Sequence, residues 1–509
     1  MLELLDWGKK PGDAPAGPAP AVAQSDAAAA LADLGVRLET AAGTQDAKAR
    51  TAALAQIQDT GAAHLAALLG QYLANAAGTY AAREVMWKTL ITYQSRLAQA
   101  LCATAGAALT LASAARALRA IRALAKLHLV HYASVPGKLW RVAYALHAGA
   151  EKAGFASTPV HAQPDARVVT TVEQELLRLL MLRISAPDML APEQIEVADR
   201  VVEQLGAEFT LRQPGVADNP FCYEPAGEHA PRRAKGRELP ESTRYFGPGM
   251  GYDSLERIAR QVGAARPEEF RAFGKDIAPR VQLGTVQHLL AFWRADSPYA
   301  PPAHAPATGT LQVVHGYGPL WQYLSQSAAG GGALSLTEYS PAAPLPPETW
   351  ELRGAGGGEL GAEVPPASRA WAKCGALVGV SLREGERWVG LIRRMHARPD
   401  GGLQADLAVL SREPRAEALR EVLEQGEDSA FTNASSRQFG LSAVHAVILA
   451  HGTDRAQPPN ALLPADHWKA GRIYELQEGQ AVRYLRGTQA VRHGEDFVRV
   501  TFEWVTPAA

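Results

Sequence analysis

Arg393 and Arg394 close the apolar run Trp388-Val389-Gly390-Leu391-Ile392. Two guanidinium forks at a strand end suit phosphate oxygens and can stack on guanine faces. Strands also commonly end in solvated arginines, so anion contact and a solvated end are both open readings. Arg398 completes an R-x-x-x-R spacing from Arg394, although it falls within the same β region. Gly356, Gly357 and Gly358 form the second candidate. Without Cβ atoms they would let a phosphate come close to the backbone, and they would equally make a bulge or tight turn.

Other charged and polar groups carry weaker signals. Arg116, Arg119, Arg122 and Lys126 recur at helical spacing and form a basic stripe. An acidic partner or nucleic acid would fit it, but a solvated face or intramolecular ion pairing suits a neutral chain better. Arg233 and Arg237 make a further R-x-x-x-R in a segment rich in Pro, Gly and charge. His128 and His131 stand three apart without a local Asp, Glu or Cys, which reads as structural, with no metal site. The sequence contains no G-x-x-x-x-G-K-[ST], G-x-S-x-G or H-E-x-x-H motif, and no catalytic constellation assembles. A non-enzymatic protein without a cofactor is expected.

The elements that hold these residues come in two styles. From Trp350 to Arg412 the chain alternates short apolar runs with turn residues, including Asp400-Gly401-Gly402. That pattern is an antiparallel barrel or sandwich, since the glycines are too many and the runs too short for a helix face. Within it W-x-G-x-x-R-R (Trp388 to Arg394) precedes a strand ending in Leu-Ser-x-x-Pro (Leu410 to Pro414). These residues resemble the PilZ-like barrel of bacterial cyclic di-GMP receptors over roughly 308 to 420. In that family a D/N-x-S-x-x-G motif and an R-x-x-x-R pair ahead of the barrel clamp the ligand. The motif positions fall on Arg353, Ala355 and Gly358, of which the glycine alone matches, and 297 to 309 hold no arginine pair. The resemblance implies a ligand site at Arg353, Gly356, Gly358, Arg393 and Arg394.

The rest of the chain frames that barrel. Residues 25 to 211 read as nearly all helix, with apolar faces at Trp87, Leu90, Ile91, Leu97 and Leu101 and at Val172, Leu176, Leu179 and Leu180. Ser25 and Asp26 form a plausible cap, and 1 to 24 a flexible Pro/Ala/Gly-rich tail. Residues 212 to 310 read as a linker with short helices, one starting near Asp253. Residues 311 to 424 read as the PilZ-like barrel, ending in a short helix from Arg415, and 425 to 509 as a small β unit. The expected fold class is therefore α+β multidomain.

Net charge is −1, so no global field favours a nucleic-acid polymer or an anionic membrane. The charge-free stretch Leu97 to Ala115 is mostly alanine and polar residues, which suits a packed helix better than a membrane span. Three scattered cysteines suit a reducing cytoplasm. Together with the resemblance, these features imply a cytoplasmic bacterial signalling protein. Cyclic di-GMP would be the ligand, and the helical half would engage a protein partner. The alternative is a ligand-free interaction scaffold that keeps the barrel's fold alone.

Overall fold

The computed structural model describes residues 26–74, 79–161, 169–212, 219–234, 239–264, 269–297, 304–328, 346–383, 385–398, 400–422, 443–449, 458–478 and 481–506. The expected tail, the cap at Ser25 and the loop at 425 to 437 lie outside them. The chain divides into two compact units, Met1–Ala300 and Pro301–Ala509.

The first unit opens with α1 (Asp26–Ala42), α2 (Ala47–Leu73), α3 (Tyr80–Ala107), α4 (Leu111–Val130) and α5 (Gly137–Lys152). After a two-strand ribbon, β1 (Val160–His161) with β2 (Val169–Thr170), come α6 (Val172–Ile184) and α7 (Pro192–Leu205). Helix starts follow local chemistry. Asp46 accepts from Lys48 and Ala49 N–H at 2.8 and 3.3 Å ahead of α2, and Thr110 with Ser113 closes a capping box on α4. Pro192 opens α7, where its missing N–H does no harm. No described helix is long and apolar enough to cross a membrane. The charge-free run Leu97 to Ala115 is split between α3 and α4.

Helix α4 runs through the middle of the bundle. Ala114, Ala117, Leu118, Ala120, Ile121, Leu124 and Ala125 are all buried, and its small residues let neighbouring backbones approach. The basic stripe lies on this buried helix and is paired internally. Arg116 meets Asp59 of α2 at 2.9 Å, Arg119 meets Glu175 of α6 at 2.8 Å, and Lys126 meets Glu196 and Asp199 of α7, both at 2.9 Å. Arg122 pairs with Glu203 and lies 3.6 Å from Asp199. The stripe is thus a set of rivets between helices.

Residues 212 to 245 form more than a linker. β3 (Thr210–Arg212), β4 (Phe221–Tyr223), β5 (Arg232–Arg233) and β6 (Arg244–Gly247) make a small sheet in the order β3-β6-β4-β5. Fully buried Phe221 and Phe246 seat it against the helical core. Then follow α8 (Met250–Ala264), which begins ahead of Asp253, and α9 (Pro279–Trp293). His288 on α9 contacts the Ser185 carbonyl at 2.8 Å and stacks on Phe292, and burial lowers its pKa to about 4. Burial lowers His128 on α4 to about 4 as well.

Both imidazoles are neutral in the fold, while an unfolded His titrates near about 6.5. The unfolded chain therefore binds more protons between those values. Their contribution is complete above about pH 6.5 and drains away as pH falls towards about 4. Urea unfolding followed by far-UV circular dichroism should lose on the order of 2 kcal/mol per histidine between about pH 7 and about pH 5. A His128→Gln/His288→Gln variant should lose much less over that range. An equal loss in both proteins would exclude these residues as the source.

The second unit contains two closed six-strand barrels. The first is built from β7 (Ala305–His315), β8 (Glu348–Gly356), β9 (Glu359–Val364), β10 (Leu377–Ser381), β11 (Trp388–Ala397) and β12 (Leu403–Ser411), in the order β10-β11-β12-β9-β8-β7. Cross-strand partners Leu311 with Trp350, Ala405 with Ala362 and Leu407 with Leu360 are buried and fill its interior. Between β7 and β8 runs a helix that the alternation after Leu311 conceals, α10 (Tyr317–Ala328).

The second barrel is β13 (Arg415–Val422), β14 (Ala443–Leu449), β15 (Asn460–Pro464), β16 (Ile473–Glu478), β17 (Ala481–His493) and β18 (Phe497–Val505), in the order β13-β14-β15-β18-β17-β16. Where a short helix is expected from Arg415, the chain is strand β13. It pairs with β14 and β16 and turns Leu419 inward opposite Val444.

Helix α10 joins the barrels. Tyr317, Leu320 and Leu324 pack with Leu377, Val389 and Leu391 of the first and with Val447, Leu449, Leu462 and Phe497 of the second. The Tyr317 hydroxyl donates to the Leu462 carbonyl at 3.0 Å, and Asp496 accepts from the Tyr317 backbone N–H at 2.6 Å. Gly379 is needed under Leu320, because a Cβ there would lie 2.7 Å from Leu320 Cδ1.

Candidate functional site

The glycines expected at the ligand site form the β8–β9 hairpin. Gly357 and Gly358 have φ of 58° and 80°, which matches a two-residue turn requiring positive φ at both positions. Gly358 faces open space, and its carbonyl accepts from Val409 N–H at 2.9 Å. The turn reading of these glycines is what the backbone shows.

The arginines divide between faces. Arg353 is exposed on β8 and pairs with Glu351 at 2.5 Å and Glu363 at 2.7 Å. Arg398, from the end of β11, shares Glu363 and also meets Asp400 at 2.5 Å, completing a surface ladder. Arg393 is exposed and pairs at 2.5 Å with Glu359, the residue that follows the hairpin turn. Arg394 is buried and faces Asp406, 4.0 Å away across the β11–β12 ladder. His304 seals that pair by reaching Asp406 at 3.2 Å. Gly354 and Gly361 make room for its ring, since a Cβ at either would fall 2.3 or 2.8 Å from an imidazole nitrogen. Arg353, Gly356, Gly358 and Arg393 therefore lie on the surface, and Arg394 under His304.

In the first unit, Arg233 donates to the backbone carbonyls of Phe292 and Arg294 and lies 4.9 Å from the Phe221 ring centroid. It ties the small sheet to the end of α9. Arg237 lies outside the described residues. A cavity of about 100 Å³ opens between α2, α3 and α4, lined by Gln58, Asp59, Gly61, Tyr93, Gln94 and Arg119 among others. Ligand pockets usually span about 300–1,000 Å³. The charged groups here are also taken, Asp59 by Arg116 and Arg119 by Glu175, so the cavity suits no more than a small fragment.

Two arginines that sequence reasoning passed over stand beside Arg393. Arg492 on β17 and Arg499 on β18 are direct cross-strand partners. Neither forms an ion pair among the described residues, and Arg499 Nε is buried without a hydrogen-bond partner. The Arg492 guanidinium reaches the first barrel, where a Cβ on Gly375 would lie 3.8 Å from Nη2. Desolvation there lowers its pKa. Neighbouring Cys374 opposes that shift, while the charges of Arg499 and Arg393 add to it. Arg492 is nonetheless exposed as a residue, so solvent reaches the cluster. Its only sequence trace is Arg492 and Arg499 flanking a Gly-Glu-Asp turn, and register alone brings them together.

The protein is an α+β chain with a helical bundle and tandem β-barrels. Residues 18–215 match the family described as "Cyclic-di-GMP receptor FimW, N-terminal domain". The match spans α1 to α7 and the start of the small sheet, less than half of the chain and neither barrel. No curated protein and no solved structure matches. The expected likeness to cyclic di-GMP receptors is thus met from the helical half, by a receptor family that is not specifically PilZ.

Proposed function

We propose that the protein is a non-enzymatic bacterial receptor for cyclic di-GMP that acts in the cytoplasm and signals through a protein partner engaged by its helical half. The observation that carries this reading is the match of residues 18–215 to the N-terminal domain of a cyclic-di-GMP receptor. The PilZ-like strand pattern of the first barrel agrees with it, while Gly358 alone matches the family's ligand motif. Binding would bias the packing of one element against another, and the shift can be no larger than the ligand's preference for one state.

A second reading, the ligand-free scaffold, is favoured by one observation. Arg353, Arg393 and Arg394 each already face a carboxylate. Isothermal titration of the full chain with cyclic di-GMP separates the two. The receptor reading expects micromolar or tighter binding, weakened in Arg393→Ala if the hairpin end of the first barrel holds the ligand. Binding unchanged in Arg393→Ala would keep the receptor and move its site. A flat titration at millimolar ligand would sink the receptor and leave the scaffold.

A further inference from the structure

We infer that Arg492 and Arg499, with Arg393 at their side, form an oxyanion site at the joint between the two barrels, built for a phosphate or phosphodiester group.

Other arginines of the second barrel face carboxylates. On the same β17–β18 ladder Arg486 stands opposite Glu503 and pairs with it at 3.1 Å. At the β13–β16 pairing of the same barrel Arg472 meets Glu421 at 2.8 Å. A few residues along the ladder from Arg486, Arg492 stands opposite Arg499. Like charges placed directly across a ladder are destabilising. The arrangement becomes favourable when an anion sits between them, and two guanidinium forks match the oxygens of a phosphate.

Backbone irregularities aim these side chains at one another. The β11–β12 register slips between Ile392 and Arg394, making Arg393 the extra residue of a bulge. The β17–β18 register slips between Ala490 and Arg492. Bulges bend a strand and redirect the residue beside them, and here one from each barrel flanks the cluster. The nearby acids are engaged: Glu359 by Arg393 at 2.5 Å, Glu495 by Lys373 at 2.9 Å, and Asp496 by the N-terminus of α10. Among the described residues no carboxylate pairs with Arg492 or Arg499, so an incoming anion would meet both of them, with Arg393 at its edge. The same joint carries α10, so an anion here would link both barrels.

The inference does not depend on the receptor reading, because a free polyphosphate and the phosphodiester of a cyclic dinucleotide share this chemistry. The test is titration calorimetry of the full chain with pyrophosphate, inorganic phosphate and cyclic di-GMP in separate arms. Wild type, Arg492→Gln/Arg499→Gln and the control Arg486→Gln are compared. At least one probe should bind wild type and Arg486→Gln alike, and weaken by about tenfold or more in the double variant. Loss of cyclic di-GMP binding would assign the site to the dinucleotide. Loss of pyrophosphate binding with cyclic di-GMP unaffected would assign it to a free anion and leave any receptor site elsewhere. No probe binding wild type, or equal binding in the double variant, would overturn the inference. In phosphate-free buffer the double variant should melt no lower than wild type, since it removes a repulsion. A clearly lower melting temperature would make these arginines structural and overturn it too.

Discussion

Replacing Glu175 with alanine should cost the helical unit about 3–5 kcal/mol. Glu175 is fully buried on α6, and one of its oxygens accepts from Arg119 at 2.8 Å and Arg178 at 2.7 Å. Burial alone would raise its pKa. The surrounding Arg119, Arg122 and Arg178 outweigh that and hold it below the usual carboxylate value. Removing it leaves Arg178, which is 2% exposed, with only Glu203 at 3.5 Å to balance its charge and the Thr170 hydroxyl to accept from it, and it takes the Glu175 carboxylate from Arg119 as well. Exposed pairs behave differently. Arg96 and Glu39 sit 2.8 Å apart with half or more of each side chain in solvent, so Glu39→Ala should change stability by less than about 1 kcal/mol. Urea unfolding of both variants decides the matter. A loss below about 1 kcal/mol for Glu175→Ala would show that the network relaxes without it.

The second large effect is expected at the joint of the barrels. Phe497→Ala should destabilise the second unit by about 3–5 kcal/mol, combining lost apolar transfer with a cavity. Phe497 is fully buried between α10 and both barrels, and its ring lies over Gly494, where a Cβ would fall 2.0 Å from it. Leu320→Ala, in the same cluster, should be non-additive with it, because neighbours around one cavity couple. Urea unfolding of the single and double variants reads both quantities. Additive losses of about 1 kcal/mol each would mean that the joint closes around the gap.

How legible all this was in the sequence varies by element. The first barrel could be read because its turns carry glycine wherever positive φ is needed, at Gly357, Gly358 and Gly401, and its strands alternate between. The helices α3, α6 and α7 were legible from their apolar periodicity. Strand β13 was not, because Arg-Ala-Glu-Ala-Leu-Arg-Glu-Val consists almost entirely of good helix formers, and pairing on both sides overrides that preference. Helix α10 was hidden by its position between strands, and its apolar face makes sense only once two barrels exist to receive it. The stripe on α4 could be seen, but its partners on α2, α6 and α7 lie tens of residues away. Arg492 and Arg499 look like ordinary surface arginines until register sets them face to face.

The closure of both barrels has a consequence for how another protein could read this one. A closed barrel has no unpaired edge, so neither offers a row of free N–H and C=O groups to an incoming strand. Strand addition, a common way for sheets to capture peptides, is therefore closed off across the barrels. The small sheet of the first unit ends in β3 and β5, three and two residues long, too short to template an extended peptide. Among the described residues this leaves a partner the side chains on helix faces and barrel walls, besides the two-residue strands of the β1–β2 ribbon, so its specificity would be written mainly in surface residues.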